Sequence, residues 1–116
     1  MTERIYNYGY RAPRFRADFR FLLQIDGRHP ALLDAHCTDL SEVGLAAEIK
    51  VALEIGAKVT LILALPGTST PMRVTANVIH RQSKGYGFAF DFSSPSQQRQ
   101  MSEYLESRRT NMVRSV

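Results

Sequence analysis

Apolar and polar residues alternate with period two through most of this chain, and only its last quarter changes period. Phe19, Phe21, Leu23 and Ile25 interleave with Arg20, Leu22, Gln24 and Asp26, the pattern of a strand with one buried face. Gly27-Arg28-His29-Pro30 then reads as a turn. A second strand is expected from Ala31 to Thr38, stopping at Asp39-Leu40-Ser41, and a third from Gly44 to Ile49 with Leu45, Ala47 and Ile49 on one face. After a turn at Leu53-Glu54-Ile55-Gly56, the nearly all-apolar run Val59 to Leu65 suggests a central strand buried on both sides. Pro66 to Pro71 is a loop by composition. A fifth strand is expected from Met72 to Arg81 and a sixth from Gly85 to Phe92, whose Phe88, Phe90 and Phe92 share a core face.

The period switches after Phe92. Ser94 fits a helix cap, with Pro95 at the first helical position and Gln97 placed for a capping box. Met101, Tyr104 and Leu105 then form an apolar stripe at helical spacing. Six short strands followed by one helix predict an all-β fold with a C-terminal helix, built as a six-stranded antiparallel β-barrel.

At 116 residues the expectation is one domain, and 44% hydrophobic residues suffice for one core. No run approaches the roughly 20 apolar residues that span a bilayer, and the first residues lack the apolar stretch of a secretory signal. Cys37 is the only cysteine, so no intramolecular disulfide can form, which fits a reducing cytoplasm. His29, His36 and His80 are scattered, and no serine or cysteine stands in an activating motif. His36 and Cys37 are adjacent in a strand and face opposite ways, so they cannot share a metal; Cys37 reads as a small buried hydrophobe. The reading is of a non-enzyme with no metal and no cofactor.

Charge changes this picture. The net charge is +4, and Arg4, Arg11, Arg14, Arg16 and Arg20 crowd the first twenty residues against only Glu3 and Asp18. Residues 1–15 show little periodicity and read as an arm. The arginine fork suits bidentate contacts to phosphate or a guanine edge. Downstream, Asp39, Ser41 and Gly44 place a carboxylate, a hydroxyl and a glycine in a polar turn. Together the two segments propose a ligand bearing both anionic phosphate and hydrogen-bond donors on a base edge. Each residue also has a structural reading: Asp39 and Ser41 are turn formers that bond their own backbone, and Gly44 fits a turn or bulge.

Asp39-Leu40-Ser41-Glu42-Val43-Gly44 matches the Asp/Asn-x-Ser-x-x-Gly motif of the PilZ family, a bacterial receptor module for cyclic di-GMP, and Gly85-Tyr86-Gly87-Phe88-Ala89-Phe90 resembles its late strand. The resemblance spans roughly residues 10 to 108, leaving 1–9 as a flexible arm and 109–116 as a tail. It implies a PilZ-like split barrel in which Tyr10, Arg11, Arg14, Asp39, Ser41 and Gly44 hold cyclic di-GMP. The family's first motif is two arginines separated by three residues. Here Tyr10 stands at the first arginine and Arg14 at the second, with Arg11 just inside. Arg16 and Arg20 copy the spacing literally, but they lie within the first strand's alternation and are the secondary candidates.

Under this reading Arg11 and Arg14 fork onto phosphate or guanine acceptors. Asp39 accepts guanine N–H donors, which an arginine cannot do. Ser41 lies on the same side as Asp39, and Gly44 allows positive φ or close approach of the ligand. Tyr10 either stacks on a guanine or anchors the arm on the barrel. The expected function is a cytoplasmic receptor whose arm orders on ligand binding and presents a new surface to a partner protein. The alternatives are a PilZ-like interaction module that has lost nucleotide binding, favoured by Tyr10, and a small basic barrel for single-stranded nucleic acid.

Overall fold

A computed structural model describes the backbone of residues 14–115 and the side chains of 14–108. Six strands form a closed antiparallel barrel: β1 (Phe15–Ile25), β2 (Ala31–Leu40), β3 (Gly44–Glu48), β4 (Lys58–Leu63), β5 (Met72–Arg81) and β6 (Gly85–Asp91). Around the barrel the order is β1, β2, β3, β6, β5, β4, with β4 returning to β1. One helix, α1 (Pro95–Ser115), follows. The barrel with a C-terminal helix is therefore as the periodicity predicts.

The alternation in the sequence becomes an inside and an outside. Phe21, Leu23, Cys37, Leu61, Leu63, Val74, Val78 and Phe88 fill the interior and are almost fully buried. Closure gives every strand two neighbours, although β1 and β4 pair only over Leu22–Gln24 and Thr60–Ile62, and side chains fill the interior, as small barrels require.

Several boundaries and burial patterns differ from the sequence reading, β3 and β6 each stopping one residue early at Glu48 and Asp91. β1 begins at Phe15 rather than Phe19, because Phe15 pairs with Leu40 and Arg16 with Asp39 before a bulge shifts the register between Arg16 and Phe19. β2 runs on to Leu40, so Asp39 lies in a strand and not in the turn. β4 ends at Leu63 instead of Leu65. β4 is also not buried on both sides: Val59, Leu61 and Leu63 point inward, whereas Thr60 and Ile62 on its outer face are only half-buried. β3 from Gly44 to Ala47 and β6 from Gly85 to Phe90 are the strands buried on both faces, a pattern that their glycines and alanines concealed.

Helix α1 is capped as its sequence suggests. The Ser94 hydroxyl accepts the Gln97 N–H at 3.2 Å, and Gln97 reaches back to accept the Ser93 N–H at 3.0 Å. The Gln97 amide also donates to the Arg73 carbonyl at 2.6 Å, tying the first turn to the start of β5. One turn further, Met101 and Leu105 enter the core, and the Tyr104 hydroxyl donates to the Pro66 carbonyl at 2.9 Å. The helix thus sits across the barrel end where β1 begins and the β4–β5 loop turns. Met101 is 0% exposed. Met101→Ala should cost about 2–4 kcal/mol, read as a lower urea midpoint; an unchanged midpoint would mean that the helix contributes nothing to the core.

Candidate functional site

The start of β1 and the end of β2 bring the basic segment and the acidic motif together. Arg14 Nη2 lies 3.8 Å from Asp39 Oδ2, and both side chains remain about half exposed. Such an exposed pair is worth little to stability, so either partner can exchange it for a ligand at small cost. Arg16 is the cross-strand neighbour of Asp39. Tyr10 and Arg11 lie outside the described residues.

Asp39 forms part of the wall of a cleft of about 1040 Å³. Phe15, Arg16, Phe19 and Leu40 line its barrel side, and Pro66, Tyr104 and Arg108 its other side. This is at the upper end of the roughly 300–1,000 Å³ of small-molecule sites. Arg20 is elsewhere. It faces a second cleft of about 910 Å³ with His36, Glu48 and Lys84, so the bulge in β1 divides the literal arginine pair between two surfaces.

Ser41 and Gly44 have structural work in the free protein. The Ser41 hydroxyl accepts the Val43 and Gly44 N–H groups, each at 3.2 Å, and donates to the Gly44 carbonyl at 3.2 Å. It is the buried polar side chain of the core region, 7% exposed, while Asp39 stays at the surface. The structure therefore turns these two residues to different tasks rather than to one side. Gly44 does not have positive φ. Its requirement comes from β6: a Cβ there would stand 2.1 Å from the Phe88 carbonyl oxygen.

Sequence reasoning missed a polar cluster beside the site. His36 Nε2 is 2.5 Å from Asp18 Oδ1 in the β1 bulge, and its Nδ1 is 3.6 Å from Glu48 Oε1 on β3. The hydrogen bond to Asp18 chiefly, with Glu48 adding to it against some desolvation, raises the His36 pKa above its ordinary 6.5. The signal was the cross-strand register, which a single sequence does not display. Burial pushes the Cys37 thiol up to about 12, which removes it as a nucleophile near neutral pH. Among the described residues no group of three or more His, Cys, Asp or Glu is placed to hold a metal ion. No helix in this region is long and apolar enough to cross a membrane.

Two outcomes follow from this geometry without any ligand. Ser41→Ala leaves two N–H groups without their acceptor and should cost about 1–2 kcal/mol; Gly44→Ala should cost more, since backbone must move. Chemical denaturation measures both, and equal midpoints with the parent would remove the turn's role. For His36, a folded pKa above the unfolded value means stabilisation that is full below about pH 6.5 and is lost as pH rises through the folded value. His36→Asn should flatten that pH dependence of the melting temperature, and an identical profile would exclude the bridge.

Three comparisons with known proteins bear on this arrangement. The model of the PilZ domain family matches residues 10–107. No curated protein matches. Among solved structures, the K. pneumonia MrkH–c-di-GMP complex is similar with a TM-score of 0.72 at 19% identity, covering 92% of this chain and 54% of MrkH. YcgR in complex with c-di-GMP from Escherichia coli gives 0.67 at 19%, covering 91% of this chain and 48% of YcgR. The PilZ domain of YcgR with c-di-GMP, also from Escherichia coli, gives 0.65 at 19%, with 92% and 98% covered. The chain thus spans about half the length of the YcgR and MrkH chains, and nearly all of the isolated YcgR domain. A matching barrel with its C-terminal helix, and a family model over most of its length, place this chain in the PilZ domain family.

Proposed function

We propose that this chain is a bacterial, cytoplasmic receptor for cyclic di-GMP, with residues 10–108 as the binding domain and 1–9 as an arm. The observation that carries the reading is the approach of Arg14 to Asp39, a residue that lines the cleft of about 1040 Å³. The MrkH and YcgR structures similar to this one hold that same dinucleotide. Arg14, with Arg11 and Tyr10 before it, grips phosphate or guanine acceptors. Asp39 accepts the guanine N–H groups that arginines cannot serve. Ser41 and Gly44 hold the β2–β3 turn in the shape that keeps Asp39 at the cleft, and Ser41 adds its hydroxyl to the ligand only where the turn releases it. Arg16, beside Asp39, supports the anionic part, and Arg20 lies apart from it.

Binding is the whole of the domain's chemistry under this reading. A doubly anionic ligand draws the arginine segment against the barrel, and the ordered arm offers a partner protein a surface absent from the free state. The partner is recognised by that change and is not a nucleic acid.

Calorimetric titration with cyclic di-GMP should give saturable binding, with Arg14→Ala and Asp39→Ala each weakening it at least about tenfold, the loss of one charge-assisted contact. Amide exchange across residues 5–20 should slow when ligand is added. No heat with the dinucleotide would sink the receptor reading in favour of the interaction module that Tyr10 suggests, and retention on oligonucleotides would point to the basic barrel instead. Binding with unchanged exchange would remove the arm switch alone.

A further inference from the structure

The cleft beside Asp39 has a second wall, and that wall belongs to the C-terminal helix. Tyr104 and Arg108 are four residues apart on α1, hence on one face. The Tyr104 ring is pinned by its hydroxyl on the Pro66 carbonyl at 2.9 Å, and the Arg108 guanidinium carbon lies 5.9 Å from the centre of that ring. A guanidinium held over an aromatic face keeps its donor edge free, because stacking uses the plane and not the N–H groups. The Pro66-Gly67 loop passes nearby: a Cβ built at Gly67 would stand in ordinary contact, 3.9 Å from Arg108 Nη1.

The charges around the cleft are unevenly satisfied. Of its carboxylates, Asp18 is bonded by His36 and Asp39 is loosely paired with Arg14. Its cations Arg16 and Arg108 make no ion pair among the described residues. Two guanidinium groups without an ion pair among the described residues, Arg108 resting over the Tyr104 ring, therefore face a space also walled by Phe15 and Phe19. An aromatic-lined space with spare positive charge suits a flat base attached to phosphate. At about 1040 Å³ it also has room for ligand beyond what Arg14 and Asp39 touch.

We infer that Arg108, presented by Tyr104 on helix α1, is a ligand-contacting residue that receives the part of the cyclic dinucleotide reaching past Asp39 into this cleft. This rests on the receptor reading above and extends its site from the arm and the β2–β3 turn to the helix. The contact is a fork onto paired acceptors, phosphate oxygens or the guanine O6 and N7 edge.

The test is calorimetric titration of the full chain with cyclic di-GMP for the parent, Arg108→Ala, Arg108→Lys and Asp39→Ala. Arg108→Ala should weaken binding about tenfold, and Arg108→Lys should recover part of the loss, since it keeps the charge and loses the fork. Arg108 is exposed, so the ligand-free melting temperature of Arg108→Ala should match the parent's, while the upward shift on adding dinucleotide should shrink. Parent-like affinity in Arg108→Ala, alongside weakened binding in Asp39→Ala, overturns the helix contact and leaves the receptor reading standing. Absence of binding by the parent overturns both.

Discussion

Closure of the barrel depends on how closely β3 can approach β6. Gly44 and Gly85 stand near opposite ends of that ladder, opposite Ala89 and Glu48 respectively. A Cβ at Gly44 would lie 2.1 Å from the Phe88 carbonyl oxygen, and one at Gly85 would lie 1.9 Å from that of Ala47. No side chain tolerates such distances, so the seam zips only where the backbone is bare. An open seam would expose two strand edges and water to Phe88, the largest fully buried side chain. The turn entering β3 is fixed by the same economy of space, with the Ser41 hydroxyl bonded back to Val43 and Gly44. The motif that first suggested a ligand is thus, in its second and third fixed positions, a device for closing a barrel. Its first fixed residue, Asp39, stays about half exposed at the cleft.

That division explains what could and could not be read from the chain. The period-two runs ending in Ile25, Arg81 and Phe92 and the cap at Ser94 each follow from local patterns, and the elements they predict are present. The errors cluster where burial and pairing are set from a distance. The start of β1 was hidden because Arg14 and Arg16 flank Phe15, and charge density there masks a strand that pairs with Leu40 and Asp39. Val59 to Leu65 reads as doubly buried by composition, but the outer face of β4 is only half-buried, and the helix reaches the Pro66 loop at the barrel end. The family motifs gave the positions of Asp39, Ser41 and Gly44, yet not which of them the fold itself consumes. The contact of His36 with Asp18 and Glu48, like the presence of Tyr104 and Arg108 at the cleft, depends on three-dimensional adjacency with no sequence spacing to announce it.

The electrostatics of the site follow from its weak internal pairing. At 3.8 Å and half exposure, Arg14 and Asp39 attract one another across water, where such pairs contribute at most about 1 kcal/mol. A tight buried pair would hold these groups against a ligand, because breaking it would strand a charge. A loose one holds them near each other while leaving both available. Asp18, by contrast, is taken by His36 on the other side of the bulge and is withdrawn from competition for the arginines. Along this one strand Arg16 lines the first cleft and Arg20 the second, while Asp18 and Phe19 border both.

Helix α1 connects this surface to the core through its register. Met101 and Leu105 are buried, and Tyr104 and Arg108 lie one position before and three after Leu105, at the boundary of the same stripe. Each residue added or removed between cap and stripe would rotate the helix by about 100°, swinging Arg108 away from the cleft and Met101 out of the core together. The bonds that prevent this are at the first turn, from Gln97 to Ser94, Ser93 and the Arg73 carbonyl. Core packing and cleft composition are therefore set by one rotation angle. A cap more than ten residues from Arg108 fixes what charge the cleft presents, and it does so through the rigid helix between them.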